Sequence, residues 1–181
     1  MAKKVHGTPV QTAFDIETTG VGKPRFGSHF LQSSILEIGF ASKGREGSLV
    51  ADPASRRMST WAYETVWKPL KEKRLAGAQR AHQTEQQILR KFLTHLQTLP
   101  DGSELIGWNI GYSPRVMGAR DPLTLGYDLP GLATRGASYG MDKEIQEEVA
   151  RLKVRDIGQE FAIKLSKGMH KEFGGRGVRE L

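Results

Sequence analysis

Seven residues constrain this chain more than any others: Phe14-Asp15-Ile16-Glu17-Thr18-Thr19-Gly20, where two acidic side chains alternate with two apolar ones at the end of a β-prone run. If Val10 to Glu17 forms a strand, the two-residue period places Asp15 and Glu17 on one face and Phe14 and Ile16 on the other. Two carboxylates are then side by side. At the tip of a buried strand their repulsion has to be offset by a cation, a proton or a hydrogen-bond network. A hard divalent ion, Mg²⁺ or Mn²⁺, meets that need through oxygen ligands and keeps open positions on which a phosphate can sit.

The remaining pattern reads as alternating strands and helices. Ser34 to Phe40 alternates like a strand pairing with the first, and Gly44 and Gly47 mark the turn after it. Met58 to Trp67 reads as a third strand, with Trp61, Tyr63 and Trp67 packed on one face, and Lys68 to Ala81 as a connection. Thr84-Glu85-Gln86-Gln87 fits a capping box, and Ile88, Leu89, Phe92, Leu93 and Leu96 follow at helical spacing until Pro100-Asp101-Gly102. His82 and His95 read as packing or surface residues. Glu104 to Asn109 is a buried strand, a helix runs from Leu129 to near Gly140, and another spans about Asp142 to Arg151. Val154 to Ile157 is a short last strand, with Asp156 placed to cap a helix that continues to about Met169. Between the first two strands, Val21 to His29 is a Gly- and Pro-rich basic loop; its Gly and Pro positions exclude a phosphate-binding P-loop.

A length of 181 residues suits one domain, 1–181, with a full core. The net charge of +7, spread along the sequence, favours an anionic partner, and nucleic acid above others. The absence of Cys excludes disulfides and thiolate metal sites. No apolar run serves as a signal peptide or spans a bilayer, so a cytoplasmic location away from membranes is expected.

The heptad F-D-I-E-T-T-G resembles the first motif of the DEDD superfamily of 3′–5′ exonucleases, which includes the proofreading exonucleases of DNA polymerases and ribonuclease T. The resemblance continues in Ile35-Leu36-Glu37-Ile38-Gly39-Phe40, where an acidic residue precedes Ile-Gly, and in Gly107-Trp108-Asn109, which opens the family's second motif. That motif closes on Asp128 in Gly126-Tyr127-Asp128-Leu129-Pro130, with 113–125 as an insertion; Asp121 competes as its carboxylate, and an N-cap role is the plainer reading of Asp128. Lys153-Val154-Arg155-Asp156-Ile157 is similar to the family's fifth strand. The resemblance implies an α/β, ribonuclease H-like three-layer fold, with helices on both faces of a mixed five-stranded sheet. It further implies Asp15, Glu17 and Asp128 as catalytic, metal-holding residues and Thr18, Thr19 and Asn109 as substrate contacts. Asp15 would bridge two Mg²⁺ or Mn²⁺ ions, Glu17 would hold the ion that activates water, and Asp128 would act through coordinated water. The implied substrate is a 3′ end of single-stranded DNA or RNA, DNA before RNA, with a polymerase or other replication partner in view.

The family's third motif, H-x-A-x-x-D or Y-x-x-x-D on a late helix, has no match. No Asp follows Asp156, no Tyr follows Tyr139, and His170 stands outside either pattern. The general base therefore has no candidate, and the expectation is a C-terminally incomplete domain, or one whose last piece comes from another chain. The alternative is a catalytically inactive nucleic-acid-binding or polymerase-associated module on the same fold.

Overall fold

In the computed structural model, residues 5–20, 33–53, 58–76, 83–108, 110, 127–158, 160–161 and 164 are described. Five strands form one mixed sheet: β1 (Gln11–Thr18), β2 (Ile35–Ser42), β3 (Arg45–Val50), β4 (Glu104–Gly107) and β5 (Lys153–Asp156), in the order β3-β2-β1-β4-β5. β1, β2 and β3 pair antiparallel, whereas β4 and β5 add in parallel on the other side of β1. The chain thus has the mixed α/β sheet expected of it.

β1 alternates as its sequence dictates. Thr12, Phe14, Ile16 and Thr18 are buried on one face, and Gln11, Ala13, Asp15 and Glu17 lie on the other. Over the buried face lie α2 (Glu85–Thr98), α3 (Asp128–Ala137) and α4 (Asp142–Arg151). Thr84 caps α2 through the expected reciprocal box with Gln87, and Ile88, Leu89, Phe92, Leu93 and Leu96 are buried along its inner stripe. Phe92 packs between Phe14 and Phe40, with ring centroids 5.5 and 6.0 Å away. Arg151, at the end of α4, donates to the Leu99 and Leu96 carbonyls, so it satisfies the last turn of α2 and fixes the two helices together. Beyond β5 the described residues Ile157, Gly158, Glu160, Phe161 and Lys164 are helical, in keeping with the helix read after that strand.

Two expectations about the third strand are corrected. Residues 60–67 are helical, not extended: helix α1 comprises an α turn at Thr60–Ala62, a π-helical turn at Tyr63–Trp67 and a further α stretch at Lys68–Ala76, where a connection was expected. The buried residues are Ala62 and Val66, four apart, and Ser59 caps the start by accepting from the Ala62 N–H at 3.1 Å. The aromatic alternation was misleading, because Trp61 and Tyr63 are 65% and 46% exposed rather than packed. The actual third strand, β3, is the stretch read as a turn. It follows a two-residue turn in which Gly44 takes φ +74°, and Gly47 sits opposite Phe40. A Cβ on Gly47 would stand 2.7 Å from the Phe40 ring, so this glycine gives the ring room to lie across the strand.

Candidate acidic site

The site forms at the carboxyl end of β1, where the neighbours on its two sides change from antiparallel to parallel. Asp15 and Glu17 project from the same face, and Glu17 is paired across the ladder with Glu37 of β2. Glu37 is held by a hydrogen bond from the Ser48 hydroxyl. The bond is structural, and it keeps a third carboxylate beside the pair.

Asp128 reaches the same place from a distant part of the chain, and local sterics explain how. A Cβ on Gly107 would lie 2.1 Å from Cγ2 of Ile110 and 2.7 Å from the Phe14 carbonyl oxygen. Only glycine lets the chain beyond β4 fold back against β1 there. The Ile110 carbonyl then accepts from the Leu129 N–H at 2.7 Å, which pins the start of α3 next to Asp15. Asp128 is the first residue of α3 and not its cap; the residue before it, Tyr127, makes no side-chain cap bond.

The electrostatics follow from burial. Asp128 is 2% exposed, and its carboxyl is pushed up to about 8, chiefly by desolvation and then by the Asp15 carboxylate, with Glu17 and Asp156 adding to the effect. Protonated Asp128 donates a hydrogen bond to Asp15, which raises the one group and restrains the rise in the other. Desolvation raises Asp15 all the same, and it raises Glu17 together with repulsion from Asp15 and Glu37. Asp156, fully buried at the end of β5, faces the cluster from the next strand but one.

Next to the acids, the Thr-Thr-Gly turn is fastened on every side. The Thr18 hydroxyl pairs with Tyr127 Oη at 3.0 Å, and Thr19 Oγ1 accepts from the Ser34 N–H at 3.0 Å. Both threonines are buried, so their hydroxyls are engaged within the protein. Gly20 takes φ +59° beneath the start of α1, where a Cβ would come within 2.8 Å of Ser59 Oγ. Asn109, Asp121, His82, His170 and the 113–125 insertion lie outside the described residues.

Two contributors escaped the sequence reading. Tyr127 places a phenol among the carboxylates, where burial and the neighbouring charges of Asp128, Glu17 and Asp15 raise its pKa. Glu85 reads as an ordinary first-turn acid of α2. It is buried and accepts from Arg135 Nε and Nη2 at 2.8 and 2.7 Å, from Tyr139 Oη at 2.7 Å and from the Ile35 N–H at 2.7 Å. These bonds tie α2, α3 and the start of β2 into one frame behind the acids.

The donor chemistry of the cluster suits a hard divalent cation: its acids Asp15, Glu17 and Asp128 offer carboxylate oxygens, and Oδ2 of Asp128 is buried with no ordinary donor to satisfy it. Among the described residues, however, no three His, Asp or Glu side chains are spaced to hold one ion. As arranged, Asp128 and Asp15 close around a proton, and a cation would have to displace it.

No family model matches the sequence, and no curated protein matches it. Among solved structures, the chain is similar to the family B DNA polymerase from the hyperthermophilic archaeon Pyrobaculum calidifontis, at 18% identity and a TM-score of 0.39. The overlap covers 74% of this chain and 12% of that one, so the chain spans a small part of the polymerase's length. A superposition this loose carries no argument about fold family or activity, and the functional reading rests on the acidic cluster itself.

Proposed function

We propose that this chain is a metal-dependent 3′–5′ exonuclease of single-stranded nucleic acid, DNA before RNA, on a ribonuclease H-like fold. One observation carries the reading: the acidic pair of the F-D-I-E-T-T-G strand and the carboxylate of the second motif, distant in sequence, share one proton-coupled cluster. Buried carboxylates are costly unless something neutralises them, so a folded chain that brings several together is built around a positive species. Asp15, Glu17 and Asp128 would hold Mg²⁺ or Mn²⁺. Such an ion, when bound, supplies an activated water and neutralises charge on the scissile phosphate.

The protein's own part is to position and to exchange a proton. Asp128 must lose its proton before it can act as a ligand, so activity should rise with pH toward the value of about 8 at which that carboxyl ionises. Glu37, held by Ser48, stands opposite Glu17 and adds to the negative charge that a cation would neutralise. Thr18 and Tyr127 fix the end of β1 against the start of α3, and so set the spacing between the acids. The positive field of a chain carrying +7 would draw a strand in, and affinity should fall steeply with salt.

Purified protein incubated with labelled single-stranded DNA or RNA and Mn²⁺, beside an Asp15→Ala control, tests the proposal. Stepwise shortening from the 3′ end by the wild type alone supports it. Binding without shortening at any pH from 7 to 9 favours the inactive module instead. The unmatched third motif, which leaves the water without a named base, is the observation on that side.

A further inference from the structure

The face of the sheet that carries Asp15 forms an open groove of about 880 Å³, floored by Ala13, Gly39, Ala41 and Gly47 and reaching Trp108 just beyond β4. Strand register puts Ala13, Gly39 and Ala41 on the same side as Asp15, so this part of the floor owes its flatness to small side chains. Trp108 is 64% exposed, which rules out a core role. It is nevertheless held in place. The indole lies against Gly158, where a Cβ would stand 3.3 Å from Cδ2 and Cε2, and its other neighbour is the ring of Phe161, with centroids 6.0 Å apart. Phe161 is itself 55% exposed. A large apolar ring kept in water, backed by a residue without a side chain and placed in the same groove as the acids, is arranged as a stacking platform.

We propose that Trp108 is the base-stacking residue of this groove, holding a nucleobase of a single strand while its phosphate is presented toward Asp15. The inference rests on the proposed action on single-stranded nucleic acid and names the residue that grips the strand. Stacking needs only a π-face, so grip through Trp108 tolerates any base and demands an unpaired one, since a paired base offers its neighbours the same faces.

The test uses an Asp15→Asn background, so that bound oligonucleotide is not consumed, and measures binding of a fluorescent oligothymidylate by anisotropy. W108A added to that background should weaken binding by about 5- to 150-fold, the span expected for one stacked base, and W108F should recover most of it. An oligonucleotide carrying abasic residues at its 3′ end should be bound equally by proteins with and without W108A. Equal affinity of the two proteins for the normal oligonucleotide would overturn the inference. So would an equal loss on normal and abasic strands, because that reports a structural role for the indole. The two readings fail separately: Trp108-dependent binding without Mn²⁺-dependent shortening removes the nuclease and leaves the platform, whereas shortening that is indifferent to W108A removes the platform and leaves the nuclease.

Discussion

Replacing Asp128 by Asn keeps the shape of the side chain and a hydrogen-bond donor toward Asp15 but removes the ionisation. In the unfolded chain Asp128 ionises near 3.8, whereas in the fold it keeps its proton up to about 8. Between those values the folded state binds the extra proton, so stability is full below the lower pKa and is lost as pH rises through the upper one. Each unit of displacement corresponds to ~1.4 kcal/mol, so the metal-free wild type should surrender on the order of 5 kcal/mol from this group alone between pH 4 and pH 8. Asp15 and Glu17, also raised, slope the same way and do so in both proteins. The difference between wild type and Asp128→Asn therefore isolates Asp128. For a chain of this size each kcal/mol moves Tm by ~2–4 °C. Thermal denaturation in chelator should find the two proteins close at pH 4 and the Asn variant more stable by roughly 10–20 °C at pH 8. Added Mn²⁺ should restore the wild type at pH 8 and leave the variant where it was. If the difference between the two melting curves is flat from pH 4 to pH 8, Asp128 is not held protonated and the cluster is not the charge-strained site described above.

Glu85→Ala leaves the half-buried Arg135 guanidinium without its bidentate partner, and should cost about 3–5 kcal/mol in urea denaturation. A loss below 1 kcal/mol would show that the frame behind the site is a surface-like pair. Gly107→Ala drives a methyl into Ile110 and the Phe14 carbonyl; both stability and any Asp128-dependent pH response should fall, as read by the same pH-resolved melts. Phe92→Ala, at the centre of the helix–sheet contact, should destabilise the fold by about 3–5 kcal/mol while leaving the urea m-value unchanged.

Much of this molecule was legible in its sequence because the signals were local. The alternation from Thr12 to Thr18 specified a strand with acids on one side, and the Thr84 box with its apolar stripe specified α2, both through periodicities the backbone imposes on any sequence. Where the signal depended on a partner, it failed. Arg45 to Val50 has little strand character of its own, and it becomes β3 because β2 offers a free edge and Gly47 makes room for Phe40. Met58 to Trp67 has aromatic residues in strand-like alternation, yet from Thr60 on it folds as a helix because Ala62 and Val66 are the residues that find something to pack on.

The carboxylates divide along the same line. Their side-by-side placement at Asp15 and Glu17 is a property of one strand, and the sequence by itself determined it. The motif resemblance implied that Asp128 belongs with them, but its burial and its proton were decided by tertiary structure: a missing Cβ at Gly107 lets the chain turn back, and one backbone hydrogen bond from Leu129 to Ile110 sets the helix beside β1. Desolvation and charge repulsion act over a few ångströms of space regardless of separation along the chain, so no reading of residue order could have supplied them.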